Sequence, residues 1–166
     1  MTAIVNDIVL RKAGKKDAPH VLAMLQELAR ELDKEDENRG SLKALETYGF
    51  GSTAAFEAIL AWKDDAPVGL ILFFYEFSTW RGRPGVYIQD FYVAPEARST
   101  GLGLRLTAAA AARGHKRGAT YLRLAVHHGN DDGMGFYLAN GFAPVEDETV
   151  MLLEGAAFKD LIDETG

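Results

Sequence analysis

The 166-residue chain contains no cysteine, which excludes a disulfide framework, a thiolate metal site and a cysteine nucleophile, and no metal is expected. No apolar run approaches the ~18 residues of a membrane-spanning helix, and the first residues lack a signal-peptide core. A cytoplasmic protein with no membrane partner is therefore expected. Internal repeats, linkers and low-complexity segments are also missing, so a single domain over residues 1–166 is expected. Positive charge is scarce: 18 Lys and Arg face 24 Asp and Glu, for a net charge of −6. That balance argues against a nucleic-acid partner and for a cationic small substrate.

What is present suits a globular fold, with 48% hydrophobic residues and enough length to bury roughly 70% of the unfolded surface. Residues 7–12 alternate as a short first strand. Asp17 can cap the next helix, with Pro19 in its first turn, and Val21, Leu22, Leu25, Leu28, Ala29 and Leu32 give that helix an apolar face. The acidic run D-K-E-D-E-N-R-G after Leu32 reads as a solvated loop. Residues 41–48 suit a short second helix. Residues 55–62 and 68–77 suit two strands, antiparallel across the turn at Asp64 to Pro67. Phe73, Phe74, Tyr75, Phe77 and Trp80 read as core side chains before pocket lining. Residues 85–93 form a largely buried strand, 101–117 an alanine-rich helix and 121–127 another strand. A helix over 131–140, capped by Asn130, is followed by a final strand over 142–153 with a turn inside it and a terminal helix over 156–162.

The stretch V-A-P-E-A-R-S-T-G-L-G-L-R-L, residues 93–106, joins strand to helix through glycines. Its backbone N–H groups can converge where the helix's unpaired N–H groups and positive dipole end also point, and the natural guest is a phosphate or pyrophosphate. The dipole contributes only ~0.3 to 2 kcal/mol, so several charge-assisted hydrogen bonds of ~1.5 to 3 kcal/mol each must supply most of the grip. Leu106 stands where a dinucleotide fingerprint needs its third glycine, and Leu104 and Arg105 stand where a P-loop needs Lys and Ser or Thr. On this segment alone, a glycine-assisted helix start that binds nothing is the other reading.

A second segment decides between them. Arg98-Ser99-Thr100-Gly101-Leu102-Gly103 resembles the R/Q-x-x-G-x-G/A loop of the GCN5-related N-acetyltransferases (GNAT). Asn130, Phe136-Tyr137 and Gly141-Phe142 follow in that family's order and spacing. The resemblance is greatest to its spermidine/spermine and thialysine branch. It is carried by S-T-W-R-G-R-P-G-V-Y-I-Q-D-F-Y-V, by L-Q-E-L at Leu25 to Leu28 and by G-F-G at Gly49 to Gly51.

The resemblance implies an α/β (α+β) fold: a mixed twisted sheet of about six to seven strands, four to five flanking helices, and a central strand splayed by a bulge. It implies acetyl-CoA as cosubstrate, a small-molecule primary amine as acceptor, direct transfer and a homodimer. The coenzyme would be bound by Phe91, Tyr92, Val93, Arg98, Ser99, Thr100, Gly101, Leu102, Gly103, Leu104, Asn130, Gly133 and Tyr137. The N–H groups of Phe91 and Val93 would hold the pantetheine arm and the thioester oxyanion. Glu27, Trp80, Gln89, Asp90 and His127 would meet the acceptor, and Tyr137, Gln89 and Asp90 would serve catalysis. Where the diamine enzymes of the branch carry Glu-Asp, this chain has Gln89-Asp90, an amide that cannot take a proton.

An alkylammonium of pKa ~10.4 must lose a proton before it attacks, at a cost of about 4.6 kcal/mol at pH 7. Asp90, His127, His128 or a water ordered by Gln89 are the candidate bases. By resemblance Tyr137 protonates the departing coenzyme A thiolate. An acceptor on a protein or peptide, and a non-catalytic coenzyme A sensor, are the alternative activities.

Overall fold

The computed structural model describes residues 7–164. Its larger unit, which runs to Asp131, holds a five-stranded sheet in the order β1 (Ile8–Lys12), β2 (Glu57–Lys63), β3 (Ala66–Ser78), β4 (Arg83–Val93), β5 (Leu122–Leu124). The first four strands are antiparallel neighbours, and β5 is parallel to β4. Three helices accompany them, α1 (Ala18–Glu31), α2 (Leu42–Tyr48) and α3 (Leu102–His115). The smaller unit, from Asp132, carries α4 (Asp131–Ala139) and α5 (Gly155–Asp163).

Strands β2, β3 and β4 are wide and apolar because both faces of the sheet are covered. α3 buries Leu102, Leu106 and Ala110. It approaches closely because β3 offers Gly69, whose absent Cβ would lie 3.0 Å from Leu106. Side chains alternate along a strand, so Leu70 and its register partner Tyr92 face away from α3. There Tyr92 lies under Arg98, which bonds Glu31 of α1. α1 therefore covers the other face, burying Val21 and Met24.

Three expectations need correction. The strand expected over 121–127 is only three residues long, because β4 bends away from it. The final strand expected over 142–153 is not a strand, so the sheet has five strands among the described residues and not six or seven. Val150, Met151 and Leu152 are exposed there, at 86%, 86% and 78%, and without a neighbouring strand to pair with, an extended segment gains no ladder. Asp17 precedes α1 but makes no cap bond to it. Its buried carboxylate instead accepts from Gly14 N–H at 2.8 Å and from both Arg11 nitrogens. Burial pushes its pKa up, and these donors outweigh that and hold it below the usual value.

Candidate active site

After β4 the chain makes a 3-10 turn, Pro95–Ala97, and enters α3 through two left-handed residues, Ser99 at φ 60° and Gly101 at φ 82°. A glycine takes this conformation at no steric cost, whereas Ser99 carries strain there. Thr100 Oγ1 donates to Ala97 O at 2.7 Å and steadies the turn. Gly101 is the residue ahead of the first helical turn and offers no side chain to cap it, so the leading N–H groups of α3 have no partner inside the helix. A Cβ added to Gly101 would meet nothing within 4 Å. Ser99, Thr100, Gly101, Leu102, Gly103 and Leu104 thus present an open helix start, at the positive end of the dipole, with Leu102 buried as its anchor.

Arg98 serves this turn from behind. Its Nη2 donates to both Glu31 oxygens at 2.5 and 2.7 Å, and its Nε to Val93 O at 2.9 Å. Its backbone N–H donates to Pro95 O at 3.3 Å. Both its side chain and its main chain are therefore engaged within the protein. Burial and then the charges of Glu31 and Glu27 push the Tyr92 phenol up.

The strand leading into the turn is bulged. Ile88 pairs with Phe73 and Asp90 with Leu72, so Gln89 is the extra residue. Beyond the bulge the sheet opens, because β4 pairs with β5 only from Val86 to Ile88. From Gln89 through Asp90, Phe91, Tyr92 and Val93, the edge of β4 away from β3 has no strand beside it among the described residues. Asp90 is half-buried and Gln89 exposed. Burial raises the Asp90 carboxyl above its usual range, and the nearby charge of His127 opposes that rise. His127 and His128 lie exposed past the end of β5, and Asn130 N–H donates to His127 O at 3.1 Å.

In the smaller unit the Phe136-Tyr137 and Gly141-Phe142 pairs explain each other. Gly141 has φ 86° and ends α4. Phe142 N–H donates to Tyr137 O at 3.0 Å and Gly141 N–H to Leu138 O at 3.2 Å, the two bonds of a Schellman motif. The hydrophobic contact that accompanies such a stop is the Phe142 ring against Tyr137, 5.3 Å between centroids. Tyr137 is buried, and that burial pushes its phenol up to about 12. Gly133, half-buried, lies one turn earlier on α4.

The structure therefore gathers the turn, Arg98, Tyr92 and the bulge around the open end of β4, with His127 near Asp90. Glu27, hydrogen-bonded to Arg30 at 2.6 Å, is near enough for its charge to act on Tyr92. Not every expected residue is brought there. Trp80 stands 99% exposed in the β3–β4 hairpin, on the order of 20 to 30 Å along the strand from Asp90. Sequence reasoning also missed Glu57, which is 8% exposed and bonded to Arg113 and Arg117. A lone carboxylate opening the apolar run E-A-I-L-A-W was its available signal, because such a residue needs partners.

A family model described as "Acetyltransferase (GNAT) family" matches residues 22–142. The chain belongs to the GNAT family. It is 32% identical over 165 residues to thialysine N-epsilon-acetyltransferase of Bos taurus, covering 93% of this chain and 96% of the relative. The Sus scrofa protein of the same name is 30% identical with the same coverage. Among solved structures, an integron cassette protein from V. cholerae superposes with a TM-score of 0.78 at 19% identity, covering 94% of this chain and 98% of the other. An aminoglycoside N-acetyltransferase in complex with CoA gives 0.70 at 18% identity, over 90% and 95%. GNAT membership and these relatives make the chain an N-acetyltransferase with the GNAT fold.

Proposed function

We propose that the protein transfers the acetyl group of acetyl-CoA directly to a primary amine of a small molecule, a lysine analogue, diamine or polyamine. The observation that carries this reading is the uncapped start of α3, entered through Ser99 and Gly101 in left-handed conformation. It fits a diphosphate, because convergent N–H groups and a helix dipole favour an anion without any dedicated side chain. The open edge of β4 beyond Gln89 supports an extended guest lying along the strand.

On this reading Asp90, with its carboxyl raised by burial, is a stronger base than an ordinary aspartate and takes the ammonium proton directly or through water. Gln89 orients the acceptor without taking a proton. Tyr137 gives its proton to the leaving thiolate. With its phenol at about 12 and a thiol near ~8.5, full transfer is uphill by about 5 kcal/mol, so its contribution is a hydrogen bond that strengthens as charge develops. The names of the bovine and porcine relatives favour a lysine analogue, and the amide at Gln89 weighs against a polyamine. One domain, acting as a homodimer, is part of the proposal.

Incubation with acetyl-CoA and a panel of thialysine, lysine, a short diamine and spermidine, following thiol release, tests it. Thialysine is expected to give the largest rate. The reading fails if no amine raises the rate above hydrolysis.

A further inference from the structure

A cavity of about 880 Å³ opens in the larger unit, and none of the residues expected to bind coenzyme or acceptor lines it. Its wall includes Lys12 at the end of β1, Lys15 of the turn that follows, Phe50 and Glu46 near the end of α2, Glu57 and Tyr75 on β2 and β3, and Arg117 past α3. Glu57 is the buried centre. Its carboxylate accepts from Arg113 Nε at 2.5 Å and Arg117 Nη2 at 3.2 Å, and faces Lys12 Nζ at 3.7 Å. One carboxylate satisfies one such cation, yet three surround it. Lys15 adds a fourth and forms no ion pair among the described residues, while Glu46 is the one other carboxylate in the wall.

Three cations of the wall, Lys12, Lys15 and Arg117, thus stand with two carboxylates, and Arg113 adds a further charge behind Glu57, in a chain whose net charge is −6. Like charges gathered this closely oppose folding unless something offsets them. Tyr75 supplies an independent sign. Its hydroxyl is buried beside Glu57, close enough for that carboxylate to act on it but without a hydrogen bond of full geometry, so a ligand or water would complete its bonding. Phe50, packed edge to face on Phe56 at 6.5 Å, gives the cavity an apolar side.

We propose that this cavity is a second ligand site, separate from the acetyl-transfer site, which takes a small anion. The guest carries a carboxylate or phosphate head held by Lys12, Lys15 and Arg117, with Tyr75 as a further donor, and an apolar body against Phe50. The proposal is independent of the acetyl-transfer reading.

The test is a ¹⁵N–¹H NMR titration of the full chain with sodium phosphate and with sodium benzoate, at constant ionic strength. Saturable shifts are expected at the amides of Lys12, Gly14, Lys15, Gly49, Gly51 and Phe56. Benzoate binding tighter than phosphate assigns a carboxylate with an apolar body, and the reverse order assigns a phosphate ligand. Lys15→Met, which alters an exposed and unpaired side chain, is expected to weaken the effective probe about tenfold. Lys12→Met provides a second variant. Three results overturn the proposal: no shift at these amides with either probe, shifts confined to Gly101 through Leu104, or affinities that neither variant changes.

Discussion

Glu31 and Arg98 form a two-oxygen contact, 2.5 and 2.7 Å to a single Nη2, across 67 residues of sequence. The same guanidinium holds Val93 O, so α1, the end of β4 and the turn before α3 are tied at one side chain. Both partners are about two-fifths exposed, which limits the pair to roughly 1 kcal/mol. Glu31→Gln is therefore expected to weaken coenzyme A binding about three- to fivefold by calorimetry, with kcat little changed. Affinity equal to that of the unaltered protein would remove the turn from Glu31's influence.

Asp90 gives a prediction of opposite sign for activity and stability. Its folded-state carboxyl is raised by burial, with His127 opposing. The stabilisation tied to the protonated form is fully present below the unfolded value and is lost as pH rises through the folded one. Asp90→Asn is expected to raise Tm at pH 8, with the gain shrinking as pH is lowered through the carboxylate range. The same variant should lower kcat/KM for the amine by about 10² or more. Calorimetric scans at several pH values, alongside rates, check both halves.

Tyr137→Phe retains the ring that packs on Phe142 and removes the proton, so kcat is expected to fall by about 10² to 10⁴ with Tm nearly unchanged. Because burial pushes this phenol up to about 12, the rate should show no alkaline fall from Tyr137 below about pH 10. Between about pH 10 and 12 the folded state holds the proton and the unfolded state does not. Tyr137 should then cost about 2 to 3 kcal/mol of stability as pH rises through that window, and the fall should be smaller by that amount in the Phe variant, where the other raised tyrosines still contribute. A phenolate absorbance titration locates the step directly.

Gly114 sets how closely α3 lies on the sheet, since a Cβ there would come within 2.2 Å of Val86 Cγ2. Val86 is fully buried and stiff, so the helix must move. Gly114→Ala is expected to cost about 2 kcal/mol or more despite alanine's better helix propensity. Denaturant unfolding measures it. A stabilised variant would show that the contact yields easily.

Helices and central strands were legible in the sequence to within a few residues because their periodicity and glycines act locally. Gly141 ending α4 and Gly101 opening α3 are of this kind. The Glu31–Arg98 tie and the Glu57 cluster were not legible, since each joins residues more than 50 positions apart and depends on which strand faces which helix. The shortness of β5 was hidden for a related reason. Its residues favour extended backbone, but the bulge at Gln89 turns β4 aside and withdraws the neighbour on which a longer strand depends.

That early parting of β4 and β5 reaches beyond catalysis. A strand margin that no other strand among the described residues pairs with can take up an extended peptide, including one from another copy of the same chain. A guest settled along that margin shields it and also shifts the folding equilibrium in its own favour by mass action. Storage of the purified protein without its cosubstrate is thus the condition in which clumping should set in first, and a modest excess of coenzyme should act as a preservative.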